Sequence, residues 1–161
     1  IRGAHRTWLD PDGFSEARLG RAPIETPRRA MGDLLGNAVR FGMGSEVTTA
    51  GEGNETVLSV RSVLPTMPAQ AALSAAHLSA ILFPTTLRRL YIARDNDPAG
   101  DGAMATLLER ASAVGIETVV LTPTLGDFNE DLRHLGHDAL AARLRDQIVS
   151  QDIARFMLLA A

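Results

Sequence analysis

Residues 90–100 read LYIARDNDPAG and combine the signals of a strand, two acids and a helix start. The first four residues form an apolar run, which predicts a buried strand, and the last three begin a helical pattern. Residues two apart in an extended segment project to the same face, so Asp95 and Asp97 can direct two carboxylates at one point. Mg²⁺ takes one or two carboxylates from a protein and completes its coordination with water and substrate phosphates. The stretch therefore predicts a divalent-metal site at the carboxyl end of a strand.

The same residues also have a purely structural interpretation. Asp97 suits the N-cap of a helix that begins at Pro98, since Asp is favoured at the N-cap and Pro at the first helical position. A capping Asp after a strand is common. The pair of acids therefore does not by itself distinguish a structural role from a functional one.

Two further segments place acids after predicted strands. Residues 48–56 read TTAGEGNET and put Glu52 at the end of one strand, ahead of a helical pattern. Residues 126–131 read GDFNED and put Asp127 shortly after the apolar run 116–121. Open α/β sheets bind ligands in the crevice beyond the carboxyl ends of their strands, so these acids are expected to converge there.

Together the three segments resemble the Toprim family, whose domains occur in bacterial-type primases, topoisomerases, some nucleases and recombination proteins. The resemblance is strongest to Toprim domains of primase-like and primase-helicase proteins of plasmids, phages and integrated mobile elements. Two departures are the weakly apolar strand before Glu52 and Asn54, where the family more often has an apolar residue; neither removes a metal-binding acid. The matching segments are GEGNET (51–56), ARDNDPAG (93–100), GDFNEDL (126–132) and AHRTWLDPDG (4–13).

The resemblance implies metal-assisted phosphoryl transfer with Mg²⁺ or Mn²⁺ as cofactor. It assigns Asp95 and Asp97 to the metal, Glu52 to general acid/base catalysis or a further ligand position, and Asp127 to a third acidic position. In a primase, a nucleotide 3′-hydroxyl attacks and pyrophosphate leaves during primer synthesis on single-stranded DNA. The alternatives are a nuclease, which uses water as the attacking group, and a non-catalytic module that binds metal or nucleic acid within a larger protein.

Charge limits how nucleic acid could bind. All sixteen basic residues are Arg, and the net charge is −3. An acidic domain does not attract nucleic acid diffusely, so binding would need local arginine contacts and metal ions. A solvated surface role is the simpler expectation for any single arginine. The predicted phosphate or nucleic-acid contacts are Arg6, Arg40, Arg94 and, near a helix N-terminus, Asn129.

Several other classes are disfavoured by composition. Receiver domains and haloacid-dehalogenase phosphatases need a catalytic Lys, and the chain has none. An EF-hand beginning at Asp95 would have Thr106 where a bidentate Glu is required. The absence of cysteine excludes a cysteine zinc site in this chain. A topoisomerase needs a tyrosine nucleophile, and Tyr91, the only tyrosine, lies inside a predicted strand.

The predicted architecture is an α/β fold with a parallel sheet covered by helices on both faces, preceded by a small β element. That element comprises a strand at residues 4–9, a turn at 10–13 and a return strand directly after it, followed by a loop over residues 20–37. The predicted division is 1–45 hairpin and linker, 46–135 Toprim core and 136–161 helical extension. No apolar stretch reaches membrane-spanning length, so we expect a cytoplasmic protein. A first residue of Ile1 suggests a piece of a larger parent, with zinc-binding or helicase domains and with single-stranded DNA and nucleoside triphosphates as partners.

Overall fold

The computed structural model describes residues 2–13, 20–44 and 46–157. The chain divides into two compact units, Ile1–Leu35 and Gly36–Ala161. In the first unit, strand β1 (Gly3–Thr7) pairs antiparallel with strand β2 (Arg28–Gly32). The predicted turn is present, since the Gly13 amide donates to the Asp10 carbonyl at 3.3 Å.

The partner of β1 differs from the prediction. Residues 20–37 were predicted to form a loop, yet they contain β2, which is exposed along its whole length. A strand with no buried face shows no alternation of apolar and polar residues, and this is why the pattern missed it. The return strand predicted directly after Gly13 falls largely on residues 14–19, which lie outside the described residues.

The second unit alternates strands and helices, as the sequence predicts. The pattern predicts a strand at 69–74 and a helix at 75–82, and both elements are shorter in the structure. A helix also follows the GDFNED segment, where the sequence indicates only a helix N-terminus near Asn129. The elements of the second unit are β3 (Val39–Phe41), β4 (Val47–Gly51), α1 (Asn54–Val63), β5 (Ala69–Ala71), α2 (Ala75–Ser79), β6 (Arg89–Ala93), α3 (Pro98–Ala113), β7 (Glu117–Leu121), α4 (Phe128–Leu135), α5 (His137–Gln147) and α6 (Ser150–Phe156).

The five strands form one sheet in the order β3-β5-β4-β6-β7. The last four of these are parallel, whereas β3 pairs antiparallel with β5 at one edge. The predicted α/β fold is confirmed, with this single antiparallel strand added to the parallel sheet. β3 lies within the predicted N-terminal part, residues 1–45, and belongs to the second compact unit. The division into 1–45, 46–135 and 136–161 remains a proposal.

Apolar side chains are buried on both faces of the sheet. On one face, Leu64 at the end of α1, Phe128 of α4 and Leu144 of α5 belong to the same buried cluster as Tyr91. On the other face, Leu107 of α3 packs with Leu90 and its neighbours. Each helix buries one stripe, as expected for elements that cover a sheet. Among the described residues, no helix has both the length and the apolar character that crossing a membrane requires.

Candidate active site

The sheet register brings the carboxyl ends of three strands to one level. Gly51 of β4 is paired with Ala93 of β6, and Ala93 is paired with Leu121 of β7. Glu52 follows β4 directly and Asp95 lies two residues beyond β6. The register therefore explains why acids that are distant in sequence meet at one edge of the sheet.

Two glycines allow the backbone to approach closely here. A Cβ on Gly51 would lie 2.9 Å from Val57 Cγ2 and 3.2 Å from the Ala93 carbonyl oxygen. A Cβ on Gly100, in the first turn of α3, would collide with the Asp95 carbonyl oxygen. Any side chain at these positions would force the strand ends and helices apart.

Asp95 lies at the centre of the site and is partly buried. Its pKa is raised to about 6, chiefly by burial and in addition by the negative charges of Glu52, Asp127 and Asp97, against the lowering effect of a hydrogen bond from Thr56. The Thr56 hydroxyl donates to Asp95 Oδ1 at 3.3 Å. Glu52, Asp95, Asp97 and Asp127 are called the acid cluster below.

Glu52 is held between β4 and the start of α2. Burial and the charge of Asp97 raise its pKa, whereas the backbone N–H of Ala75 donates to its carboxylate and lowers the pKa. Its carbonyl accepts from Leu73 N–H at 2.8 Å. Leu73 has φ of 74°, a left-handed conformation that residues with a Cβ adopt rarely and at a cost of about 1–3 kcal/mol. A strained residue next to a candidate catalytic acid supports a functional role for this turn.

Asp97 and Asp127 both cap helices. Asp97 Oδ1 accepts from Gly100 N–H at 2.7 Å at the start of α3, and Asp127 Oδ1 accepts from Glu130 N–H at 2.7 Å at the start of α4. The prediction that Asp97 caps the helix beginning at Pro98 is thus confirmed. Each cap uses one oxygen of the carboxylate, so the other oxygen remains available for a ligand.

The donor set of the acid cluster fits a hard cation. Carboxylate oxygens are ligands that Mg²⁺ prefers, and the negative charges of the other three acids act on Asp95. Within residues 2–13, 20–44 and 46–157, however, no three acidic or histidine side chains lie close enough together to hold a metal by themselves. The arrangement suits Mg²⁺, which binds through one or two carboxylates and takes other oxygens from phosphates and water.

The predicted nucleic-acid contacts do not gather in one place. Arg94 is engaged with Asp101 at 2.9 Å and with Asn96 Oδ1 at 2.7 Å, so it braces the loop that carries Asp95. Asn129 lies in the first turn of α4, beside Asp127. Arg40 lines a separate cavity of about 150 Å³ with Thr48, Pro68 and Pro84 among others. Arg6 belongs to β1 of the first unit.

Two supporting residues were not assigned roles from sequence. Thr56 was visible only as part of the GEGNET segment, and its bond to Asp95 depends on how α1 packs. Asp131 is buried and accepts from the N–H groups of Thr124 and Leu125 at 2.7 and 2.8 Å, which fixes the loop before Asp127. An acid in the first turn of a helix, four residues after the N-cap Asp127, was the available signal.

The positions of Tyr91 and of His134 and His137 agree with the sequence pattern, which puts Tyr91 inside a strand and makes Gly136, between the two histidines, a helix end. Tyr91 is fully buried, and its hydroxyl donates to Asp152 Oδ2 at 2.7 Å, so it is not placed to act as a nucleophile. Burial, and next the hydrogen bond to Asp152, raise the pKa of the Tyr91 hydroxyl above its usual value. His134 and His137 are exposed and flank Gly136, which ends α4 with φ of 86°.

Comparison with protein families gives two matches. Residues 47–138 match the model of the Toprim domain, and residues 1–41 match a domain of unknown function (DUF7146). A comparison with curated protein sequences finds no match.

Three solved primase structures share the fold. The zinc-binding and RNA polymerase domains of the Aquifex aeolicus primase have a TM-score of 0.59 and 18% identity, over 92% of this chain and 41% of that one. The primase fragment of the bacteriophage T7 primase-helicase protein has 0.57 and 14%, over 90% and 62%. A primase domain from Pseudomonas aeruginosa has 0.55 and 17%, over 91% and 51%. This chain therefore spans about two fifths to three fifths of these structures, and at such identities the likeness establishes the fold alone.

Proposed function

Because the chain belongs to the Toprim domain family, we propose that it is the Mg²⁺-dependent nucleotidyl-transfer domain of a primase-like replication or transfer protein that makes primers on single-stranded DNA. The observation that carries this proposal is that the strand register gathers the acid cluster at one edge of the sheet, where Glu52, Asp127 and Asp97 each raise the pKa of Asp95. Gathering like charges is unfavourable for the fold, and it is explained if a cation neutralises them during function.

Asp95 and Asp97 are proposed as the principal ligands of Mg²⁺ or Mn²⁺, with Glu52 and Asp127 as further ligands that act through bridging water, since no three acids of the described residues lie close enough to hold a cation directly. When bound, the cation would neutralise phosphate charge and make an attacking hydroxyl more acidic. Thr56 holds one oxygen of Asp95, and the helix caps hold one oxygen of Asp97 and one of Asp127. These bonds fix the carboxylates so that their remaining oxygens are oriented before substrate arrives.

Glu52 is proposed as the general acid or base. A carboxyl with a raised pKa holds a proton at a pH closer to neutrality than an ordinary Glu, which suits proton transfer to or from a reacting oxygen. The Ala75 N–H, which donates to its carboxylate, orients the group. Arg6, Arg40 and Arg94 are proposed as phosphate contacts, and Asn129 is proposed to act with the N-terminus of α4.

The remaining partners and surroundings follow from the same proposal. The substrates are nucleoside triphosphates and a single-stranded DNA template, and the parent protein would supply zinc-binding or helicase domains in the cytoplasm of its host, as a protein of a mobile element. In the nuclease alternative, water replaces the nucleotide 3′-hydroxyl as the attacking group. A non-catalytic module would retain the fold and lack transfer altogether.

The test is a calorimetric titration of Mg²⁺ and Mn²⁺, with and without a nucleoside triphosphate, into the chain and into a Glu52→Gln, Asp95→Asn double variant. The matched control is Glu109→Gln, Asp146→Asn, which neutralises two exposed acids on α3 and α5. We expect binding in the chain and the control and loss of binding in the cluster variant. Equal binding in all three, with the nucleotide present, would refute the metal site.

Activity is then measured in the parent protein. Primer synthesis that the cluster variant abolishes supports nucleotidyl transfer, whereas metal-dependent cleavage of a labelled strand without synthesis would assign the site to a nuclease. Full synthesis by the cluster variant would leave only the non-catalytic role.

A further inference from the structure

The two strands of the N-terminal hairpin carry positive charge and no acidic residue. Their ten residues include Arg6, Arg28 and Arg29 together with His5, and every one of these is exposed. Their side chains bury little apolar surface, so packing does not explain the composition of the strands. A cluster of exposed arginines without acids is the pattern expected of a surface that meets an anionic partner.

The register places two of these arginines directly opposite each other. Arg6 of β1 is paired with Arg29 of β2. Residues opposite each other in an antiparallel pair project to the same face with Cβ atoms about 5 Å apart, and like charges at this spacing repel. Within the described residues, Arg29 forms no ion pair or hydrogen bond through its side chain. A phosphate between the two guanidinium groups would replace this repulsion with attraction.

Trp8 lies on the same face as Arg6, since it is two residues further along an extended segment. Its backbone is fixed on both sides, because its N–H donates to the Pro27 carbonyl at 2.9 Å and its carbonyl accepts from the Ala22 N–H at 2.8 Å. The Arg6 guanidinium carbon lies 5.4 Å from the centroid of the indole. The sequence favours a packing anchor for the hairpin at Trp8, with base stacking beside an arginine as the alternative, and 38% of the Trp8 surface remains exposed.

Met31 completes the arrangement. Arg6 Nη2 lies 2.8 Å from the Met31 sulfur, so the guanidinium is held between the thioether and the indole. A long side chain that is already ordered loses little further freedom when it binds a ligand. The face thus offers a fixed cation beside an accessible aromatic ring.

We propose that this face, formed by Arg6, Trp8, Arg29 and Met31, binds single-stranded nucleic acid, with a base stacked on Trp8 and phosphates held by Arg6 and Arg29. This deepens the proposed function and rests on it in one respect, because it assigns a surface to the template strand. Stacking on an aromatic side chain next to cationic contacts with the backbone is how proteins hold single strands without reading their sequence. Duplex bases are already stacked on one another, so the proposal is specific to a single strand.

The chain contains one tryptophan, so its fluorescence reports on Trp8 alone. We would titrate a twelve-nucleotide thymidine strand into the full chain at low salt with EDTA present, and follow both Trp fluorescence and the anisotropy of a labelled strand. Parallel titrations would use the uridine strand and a duplex. We expect both single strands to quench Trp8 as they bind, and the duplex to bind more weakly without quenching.

Variants separate stacking from charge. Trp8→Ala should weaken binding roughly 10-fold, and Trp8→Phe should restore most of it because a phenyl ring still stacks. The Arg6→Ala, Arg29→Ala double variant should lower the slope of log K against log salt by about 1.4, since each single-strand phosphate contact contributes about 0.7. The control is Arg145→Ala, which removes an exposed charge from α5 and should leave stacking and quenching unchanged.

Three outcomes would overturn the proposal. They are binding without any change in Trp8 fluorescence, an Arg6/Arg29 variant that binds as tightly as Arg145→Ala, and no binding of single strands at low salt. Because EDTA removes divalent ions from the acid cluster, failure here is distinct from failure of the metal site. Conversely, Glu52→Gln, Asp95→Asn should bind the strand as the unaltered chain does, even if it loses metal and transfer.

Discussion

The Thr56 hydroxyl lies 3.3 Å from Asp95 Oδ1 and donates a hydrogen bond to it, joining α1 to the loop after β6. This bond favours the ionised carboxylate and holds the pKa of Asp95 below the value that burial and neighbouring charges would otherwise give. Thr56→Val keeps the shape of the side chain and removes the donor. We expect the pKa of Asp95 to rise and the fold to lose about 1 kcal/mol at neutral pH.

The pKa would be followed by the carboxyl carbon shift of Asp95 in NMR spectra recorded without metal. Thr66→Val, at an exposed position after α1, serves as the control. An unchanged Asp95 titration in Thr56→Val would show that the hydrogen bond has no influence on the acid cluster.

Asp95 should also make the stability of the metal-free chain depend on pH. Its pKa is raised from 3.8 to about 6, so the folded state holds the proton more tightly than the unfolded state. This favourable contribution is present below about pH 4 and is lost as pH rises to about 6, where the folded state must carry the ionised group. Because the carboxyl is partly exposed, solvent screening reduces the effect to about 1–2 kcal/mol.

Asp95→Asn removes this titration, so the variant should be more stable than the unaltered chain at pH 7.5, and the difference should shrink toward pH 4.5. Urea unfolding in EDTA at the two pH values measures it. Asp146→Asn should change neither value. A stability difference that is the same at both pH values would contradict the assigned shift.

Capping and metal binding can be separated at Asp97. Asn is as good an N-cap as Asp, and its side-chain oxygen can still accept from the Gly100 N–H. Asp97→Asn should therefore unfold within about 0.5 kcal/mol of the unaltered chain while losing Mg²⁺ binding. Asp97→Ala should lose binding and also about 1 kcal/mol of stability. If Asp97→Asn binds Mg²⁺ normally, Asp97 is a helix cap and not a ligand.

The sequence predicted correctly those elements for which the apolar pattern and the helix-capping residues agreed. β6 and α3 were found because an apolar run meets Asp97 and Pro98, a cap and a first-turn residue in the right order. β2 was missed because both its faces are exposed and it carries no periodicity. The candidate acids were predicted from their positions after strands, whereas the Thr56 bond depends on packing between elements that the sequence treats separately.

A buried ion pair fixes the last helix to the sheet. Asp152 of α6 is almost fully buried and accepts from Arg89 Nη1 and from the Tyr91 hydroxyl, each at 2.7 Å. Removing one partner of a buried pair leaves the other charge uncompensated, although Arg89 keeps its bond to Glu117. We expect Asp152→Ala to cost about 3 kcal/mol in urea unfolding. Asp138→Ala, at a fully exposed position, should cost little, and equal losses in both variants would rule out a special role for the pair.

Two glycines of α3 should respond in opposite ways to the same substitution. A Cβ on Gly102 meets no atom within 4 Å, and Gly102 lies inside a helix, where Ala is favoured over Gly by about 1 kcal/mol. A Cβ on Gly100 would collide with the Asp95 carbonyl oxygen, which belongs to backbone and cannot turn aside as a side chain can. We therefore expect Gly102→Ala to raise the free energy of unfolding and Gly100→Ala to lower it by about 2 kcal/mol or more. Because the collision displaces the Asp95 loop, Gly100→Ala should also weaken Mg²⁺ binding, whereas Gly102→Ala should not. A Gly100→Ala variant as stable as the unaltered chain would mean that α3 and the Asp95 loop can move apart without loss.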